Sequence, residues 1–122
     1  MANISELNVY QNSLEFSNQI WNLCLKWNSF ASNTVGYQIV KAADSISANL
    51  AEGYGRFHLK DNIHFCYYSS GSLEETKDWL RKSRTRNLIS ENTYQELTKE
   101  IVIIAKQLNK YITSLKKKIH RS

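Results

Sequence analysis

Apolar side chains recur along this chain every three or four positions, the period of an amphipathic helix. The clearest run is Tyr94, Leu97, Ile101, Ile104, Leu108, Tyr111 and Leu115, a three-four seam held over three heptads. Ala105, Ile112 and Ile119 widen it to the stripe expected of a bundle helix, so a helix is predicted over 91–118 with Ser90 as its N-cap. Val9, Tyr10, Leu14, Phe16, Ile20, Trp21, Leu23, Cys24 and Trp27 predict a first helix over 5–27. Cap and turn residues fill 28–33, which predicts a loop and an N-cap at Ser32 or Asn33 for a second helix over 33–52. Its inward line is Val35, Ile39, Ala42, Ile46, Asn49 and Gly53. Gly53 and Gly55 are expected to end it in left-handed conformation, with Tyr54 and Phe57 folding back over the end. A third helix is predicted over 59–86, with Ile63, Cys66, Ser70, Leu73 and Leu80 inward.

Two stretches break the simple pattern. Asn49 places an amide on an apolar stripe, where it must find partners, and residues 69–72 put four small residues inside the third helix. Gly71 there costs roughly 1 kcal/mol against alanine, so a close backbone approach between the second and third helices is expected to compensate. Four amphipathic helices on short connections define an all-α, antiparallel, up-down-up-down four-helix bundle, a single domain over 1–122. Trp21, Phe65, Tyr68, Trp79, Val102 and Ile103 exceed what one narrow core holds, which points to a surface covered by another subunit and so to a homo-oligomer.

Composition sharpens this picture. The 122 residues include no proline and four glycines, which favours long helices over many short strands. No signal peptide or membrane-length apolar run is read, so a soluble, cytoplasmic protein is expected, with no membrane partner. Cys24 and Cys66 lack metal or redox spacing, and His58, His64 and His120 share no ligand spacing, so no metal site and no cofactor are expected. The net charge of +5 is unevenly spread: residues 1–80 hold five Lys/Arg and eight Asp/Glu, whereas 81–122 hold eleven and three. Such a split points first to polyanions.

The helix-two string Gln38-Ile39-Val40-Lys41-Ala42-Ala43-Asp44-Ser45-Ile46-Ser47-Ala48-Asn49-Leu50-Ala51-Glu52-Gly53-Tyr54-Gly55-Arg56 resembles the pattern Q-I-x-R-A-x-x-S-I-x-x-N-I-A-E-G-Y-x-R. That pattern belongs to proteins encoded in intervening sequences of bacterial 23S ribosomal RNA genes, also labelled S23 ribosomal protein. Phe65-Cys66-Tyr67-Tyr68-Ser69-Ser70-Gly71-Ser72-Leu73-Glu74-Glu75 resembles the same family's F-x-x-x-A-x-G-S-x-x-E in helix three. The resemblance spans about 36–115, and the sequence departs from the pattern in helix two, where the basic residues are thinned to Val40 and Lys41, and at Ser70 before the Gly-Ser pair. It implies a four-helix bundle shared with the accessory protein of diversity-generating retroelements. It also implies assembly into a pentameric ring and, for retroelement members, binding of a reverse transcriptase and nucleic acid.

Asn49, Glu52, Ser72 and Glu75 invite a catalytic reading, yet no activated nucleophile, histidine base or phosphate-cradling loop accompanies them. With Gly53 and Gly71 they are read instead as a structural motif, a buried hydrogen-bonded cluster that fixes helix register. No catalytic residue is assigned and an enzyme is not expected. The basic residues group at two ends of the bundle: Arg81, Lys82, Arg84 and Arg86 at one, and Lys116, Lys117, Lys118 and Arg121 with Arg56 and Lys60 at the other. One or two cations suffice to offset a helix dipole, whereas each group has four or more. The leading expectation is a non-enzymatic oligomeric protein that binds RNA or DNA through these helix ends. The alternative is a protein-interaction adaptor with no direct nucleic-acid contact.

Overall fold

The computed structural model describes residues 3–121, and these form four long helices with no strand among them. After a short 3-10 turn at Ile4–Glu6, α1 spans Asn8–Cys24, α2 Tyr37–Tyr54, α3 Leu59–Thr85 and α4 Glu91–Arg121. The first helix is thus shorter than predicted at both ends, and the fourth runs three residues beyond its predicted end at 118.

The expected loop at 28–33 is largely helical. Asn28 is the cap, its Oδ1 accepting the Ala31 N–H at 2.9 Å, so the chain turns helical at Ser29–Ala31. It then passes through a wide π turn at Ser32–Gly36 into α2. The small polar residues read as loop formers bond within this coil instead: Asn33 donates to the Ser29 hydroxyl at 3.2 Å. The other end of α2 also differs from expectation. Gly53 and Gly55 have no positive φ, Gly55 caps in right-handed conformation, and Phe57 is 94% exposed instead of folding over the helix end. The left-handed residue is Asn87 (φ 60), which closes α3: Leu88 N–H donates to Ser83 and Asn87 N–H to Arg84, the paired bonds of a Schellman ending. Ser90 caps α4 as predicted, accepting the Thr93 N–H at 3.0 Å.

One core joins all four helices. Phe16 and Ile20 of α1 meet Ile39, Ile46 and Leu50 of α2, Leu80 of α3 and Ile101, Ile104 and Leu108 of α4, all nearly free of solvent. Contacts between neighbours step in opposite directions along the chain. Asn12 donates to Gln107 and Gln19 to Glu100; Asn62 lies against Tyr111 while Arg84 lies against Glu91.

The α2–α3 crossing is close, but not where Gly71 suggested. Gly71 is exposed, and a Cβ built there meets nothing within 4 Å. The close approach is at Gly53, where a Cβ would lie 2.6 Å from Asn62 Oδ1 and 2.8 Å from the Phe65 Cβ. Farther along, the fully buried Ser69 hydroxyl donates to the Ile46 carbonyl at 2.8 Å, tying the two helices directly. The inward line of α3 is Asn62, Cys66, Ser69, Leu73, Thr76, Leu80 and Ser83, all buried, rather than one passing through Ser70. Thr76 and Ser83 satisfy their hydroxyls on the carbonyls of Ser72 and Trp79, each at 2.7 Å, so small polar residues enter the core without an orphaned donor.

Candidate nucleic-acid interface

The end of the molecule where α2 stops, α3 starts and α4 finishes interleaves cations with aromatic rings. Arg56, in the connection after α2, pairs with Glu52 one turn back at 2.7 Å and lies over the Phe65 ring at 4.7 Å. Phe65 in turn meets Tyr68 edge-on at 5.4 Å. Lys116 of α4 reaches over the Tyr67 ring at 5.8 Å. Lys60, at the start of α3, and Lys117, Lys118 and Arg121, in the last turns of α4, are exposed, as are Tyr67 (47%) and Tyr68 (57%). The structure therefore brings Arg56 and Lys60 to the same end as the α4 cations, and adds aromatic surface that the charge count did not reveal.

The opposite end is built differently. Lys82 is held by Asp78 at 2.7 Å and lies 4.3 Å from the Trp79 ring centre, while Arg84 sits 4.0 Å over Tyr94 and 3.6 Å from Glu91. The hydrogen bond from Lys82, followed by the nearby charges of Lys82 and Arg81, holds the Asp78 carboxyl below its ordinary range. Two of the four cations predicted for this end thus already have a carboxylate beside them, whereas Arg81 and Arg86 are exposed. Exposed pairs of this kind contribute little stability, but they reduce the local positive field.

The predicted structural motif is only partly brought together. Gly53 is buried at the helix crossing. Asn49 is half-buried and donates within its own helix, to the Ser45 carbonyl at 2.9 Å and the Ser45 hydroxyl at 3.2 Å. Glu52 and Glu75 are exposed, Gly71 faces outward, and Ser72 donates to the Tyr68 carbonyl at 3.1 Å. The expected buried cluster of these residues is therefore not formed. The reason is rotational: α2 buries Ala43, Ile46 and Leu50, and α3 buries Ser69, Leu73 and Thr76, which turns Asn49, Gly71 and Glu75 away from the crossing. The buried amide that sequence reasoning missed is Asn62, 7% exposed, which donates to the Tyr111 hydroxyl at 3.1 Å and accepts from the Cys66 thiol at 3.8 Å. Its place four residues before Cys66, on the same inward line, was the available signal.

Burial pushes both thiols up to about 11, which removes thiolate character at neutral pH. Among the described residues no group of His, Cys, Asp and Glu is arranged to hold a metal ion, and no helix is long and apolar enough to cross a membrane. An apolar groove of about 390 Å³ lies where α1 meets the π turn and α2, lined by Trp21, Cys24, Leu25, Gly36, Tyr37 and Val40 among others. Trp21 (54%), Leu25 (66%) and Tyr37 (60%) are exposed along it, and Val102 and Ile103 are exposed on α4. The surplus of apolar residues noted in the sequence is therefore partly on the surface, with Phe65 and Trp79 half-covered beneath Arg56 and Lys82.

A search of curated proteins returned no match. Among solved structures, the chain is similar to a protein of unknown function from the S23 ribosomal protein family of Bacteroides thetaiotaomicron. The two share 26% sequence identity over 86% of this chain and 95% of the other, with a TM-score of 0.77. The family model described as 23S rRNA-intervening sequence protein matches residues 5–110, a span that takes in both motif strings and all but the last turns of α4. The chain belongs to the family of 23S rRNA-intervening sequence proteins.

Proposed function

We propose that this protein is a non-enzymatic, antiparallel up-down-up-down bundle that assembles into a ring and binds nucleic acid at its aromatic, basic end. The observation that carries the reading is the interleaving of Arg56, Lys60 and Lys116 with Phe57, Tyr67 and Tyr68, because cations that track phosphates beside rings that stack bases suit a single strand. The opposed stepping of contacts between α1 and α4 and between α3 and α4 supports the antiparallel arrangement. Two buried free thiols are compatible with a reducing cytoplasm.

Affinity for a generic single-stranded oligonucleotide is expected to fall steeply with salt, since each neutralised phosphate releases condensed counterions. Changing Lys60, Lys116 and Arg121 to glutamine removes three exposed charges beyond the core and should flatten the log-log slope by roughly 2, at ~0.7 for each single-strand contact. Fluorescence anisotropy across a salt series reads this directly. Salt-insensitive binding, or none at ~50 mM salt, where electrostatic association is strongest, would favour the adaptor reading. The exposed Trp21, Leu25 and Tyr37 along the α1–α2 groove are the observation that supports that second reading, in which a protein partner docks there.

Assembly has its own measurement. Sedimentation equilibrium should give a mass well above the 14.2 kDa of one chain, and about 70 kDa for a pentamer. A single species near the chain mass at micromolar concentration would rule the ring out.

A further inference from the structure

Four lysines of α4 fall on one line that the grouping by helix ends conceals. Lys99, Lys106, Lys110 and Lys117 are spaced by seven, four and seven residues, which superposes them on a single helical face, and all four are exposed. At 1.5 Å per residue the line runs about 27 Å, equivalent to ~8 base pairs at 3.4 Å each. Its lower part is a shallow groove lined by Lys106, Asn109, Lys110, Thr113, Ser114 and Lys117. No Asp or Glu occurs in the sequence after Glu100, so no carboxylate from α4 itself offsets this part of the line. Lys99, by contrast, has Glu96 one turn away and Glu100 next to it.

The chemistry of the line differs from that of the aromatic end it runs into. Lysines with short amides and hydroxyls between them contact phosphate and sugar without reading or stacking bases. No aromatic ring lines the groove, so it provides no platform for unstacked bases, and a duplex, whose phosphates are already held on a rigid cylinder, is the form that suits it. Beyond Lys117 the same helix reaches Arg121 and the end bearing Phe57, Tyr67 and Tyr68, where rings stand exposed for stacking. We propose that the ligand is a nucleic acid in which a duplex passes into a single strand, the duplex lying along the α4 lysine line and the unpaired bases stacking at the aromatic end. This rests on the proposed nucleic-acid function and names the substrate class for it.

The test compares three probes of equal total length at ~100 mM salt: a blunt duplex, a single strand, and a duplex with an unpaired tail. The tailed duplex is expected to bind at least tenfold more tightly than either of the others. Lys106→Gln with Lys110→Gln should cut affinity for the blunt duplex at least fivefold and leave the single strand within twofold. Phe57→Ala with Lys60→Gln should do the reverse; both residues are exposed, so folding is spared, and circular dichroism of each variant checks this. Equal affinity for all three probes, or lysine-line variants that weaken single strand and duplex alike, would overturn the junction assignment while leaving nucleic-acid binding in place. Binding of none of the probes would overturn both readings. Preference for vesicles containing anionic lipid over every nucleic acid would assign the lysine line to a membrane surface instead.

Discussion

Gly53→Ala is expected to destabilise the fold by about 1–3 kcal/mol, although alanine is the better helix former by ~1 kcal/mol. The new methyl would lie 2.6 Å from Asn62 Oδ1, 2.8 Å from the Phe65 Cβ and 3.0 Å from the Asn62 carbonyl oxygen. Two of these three atoms belong to backbone or to a Cβ that moves only with it, so no rotamer change relieves the contact and the start of α3 must move away from α2. That movement strains the bond from Asn62 to Tyr111, which ties α3 to α4. Gly71→Ala is the matched control. With nothing within 4 Å of the added carbon, the substitution should stabilise by ~0.5–1 kcal/mol through helix propensity alone. Urea denaturation of the two variants beside the parent gives both signs in one experiment. Equal stability of Gly53→Ala and parent would contradict the close approach at the crossing, and a loss at Gly71→Ala would contradict the open surface described there.

A second large change is expected at alkaline pH. Cys24 and Cys66 are 5% and 0% exposed, and burial raises both thiols from 9.0 to about 11. Below pH 9 the thiols are protonated in folded and unfolded chains alike, and stability does not depend on them. Between about 9 and 11 the unfolded chain has released protons that the folded chain still holds, so stability falls as pH rises through this window. At about 1.4 kcal/mol for each pH unit, the loss by about pH 11 is ~2.5 kcal/mol a thiol and ~5 kcal/mol for the pair. Tyr111, raised by burial against the opposing hydrogen bond from Asn62, acts in the same direction from its ordinary 10.0 upward. Denaturation series from pH 8 to 11 should show a steep decline for the parent and a shallower one for Cys24→Ala with Cys66→Ala, whose cavities cost the same at every pH. Parallel curves would mean that the thiols are not the source.

The helices were legible in the chain to different depths, for physical reasons. The α4 seam could be read because every inward position is a large apolar residue and Ser90 is a capping type. The inward line of α3 was misread because three of its members are Ser69, Thr76 and Ser83, whose hydroxyls bond to backbone and enter the core as small residues. The four-three spacing from Asn62 to Ser83 was present all along, hidden by residue type. The start of α2 was misplaced because cap-forming residues crowd 28–33, and the sequence does not say which of them caps; Asn28 does, and the rest lie inside the coil. Pairings within one helix, Arg56 with Glu52 and Lys82 with Asp78, follow from four-residue spacing, whereas Arg84 meets Glu91 and Tyr94 only because the Asn87 turn brings the helices together. The lysine line of α4 was equally open to view, but counting charge by segment discards the angle at which each charge leaves the helix.

The length of α4 couples its basic tail to its own integrity. Among the described residues Leu115 is the last buried one, and beyond it Ile119 is half-buried against the core, so the final turn is held by less apolar burial than the turns before it. The negative end of the helix dipole is offset there by Lys118, His120 and Arg121, at ~0.3–1 kcal/mol for each charge. A phosphate drawn to Arg121 competes with the helix dipole for the same positive charge. Ligation at the tip and fraying of the last turn are therefore linked equilibria, and part of the Coulombic gain from any anion is spent against the helix that presents the charge.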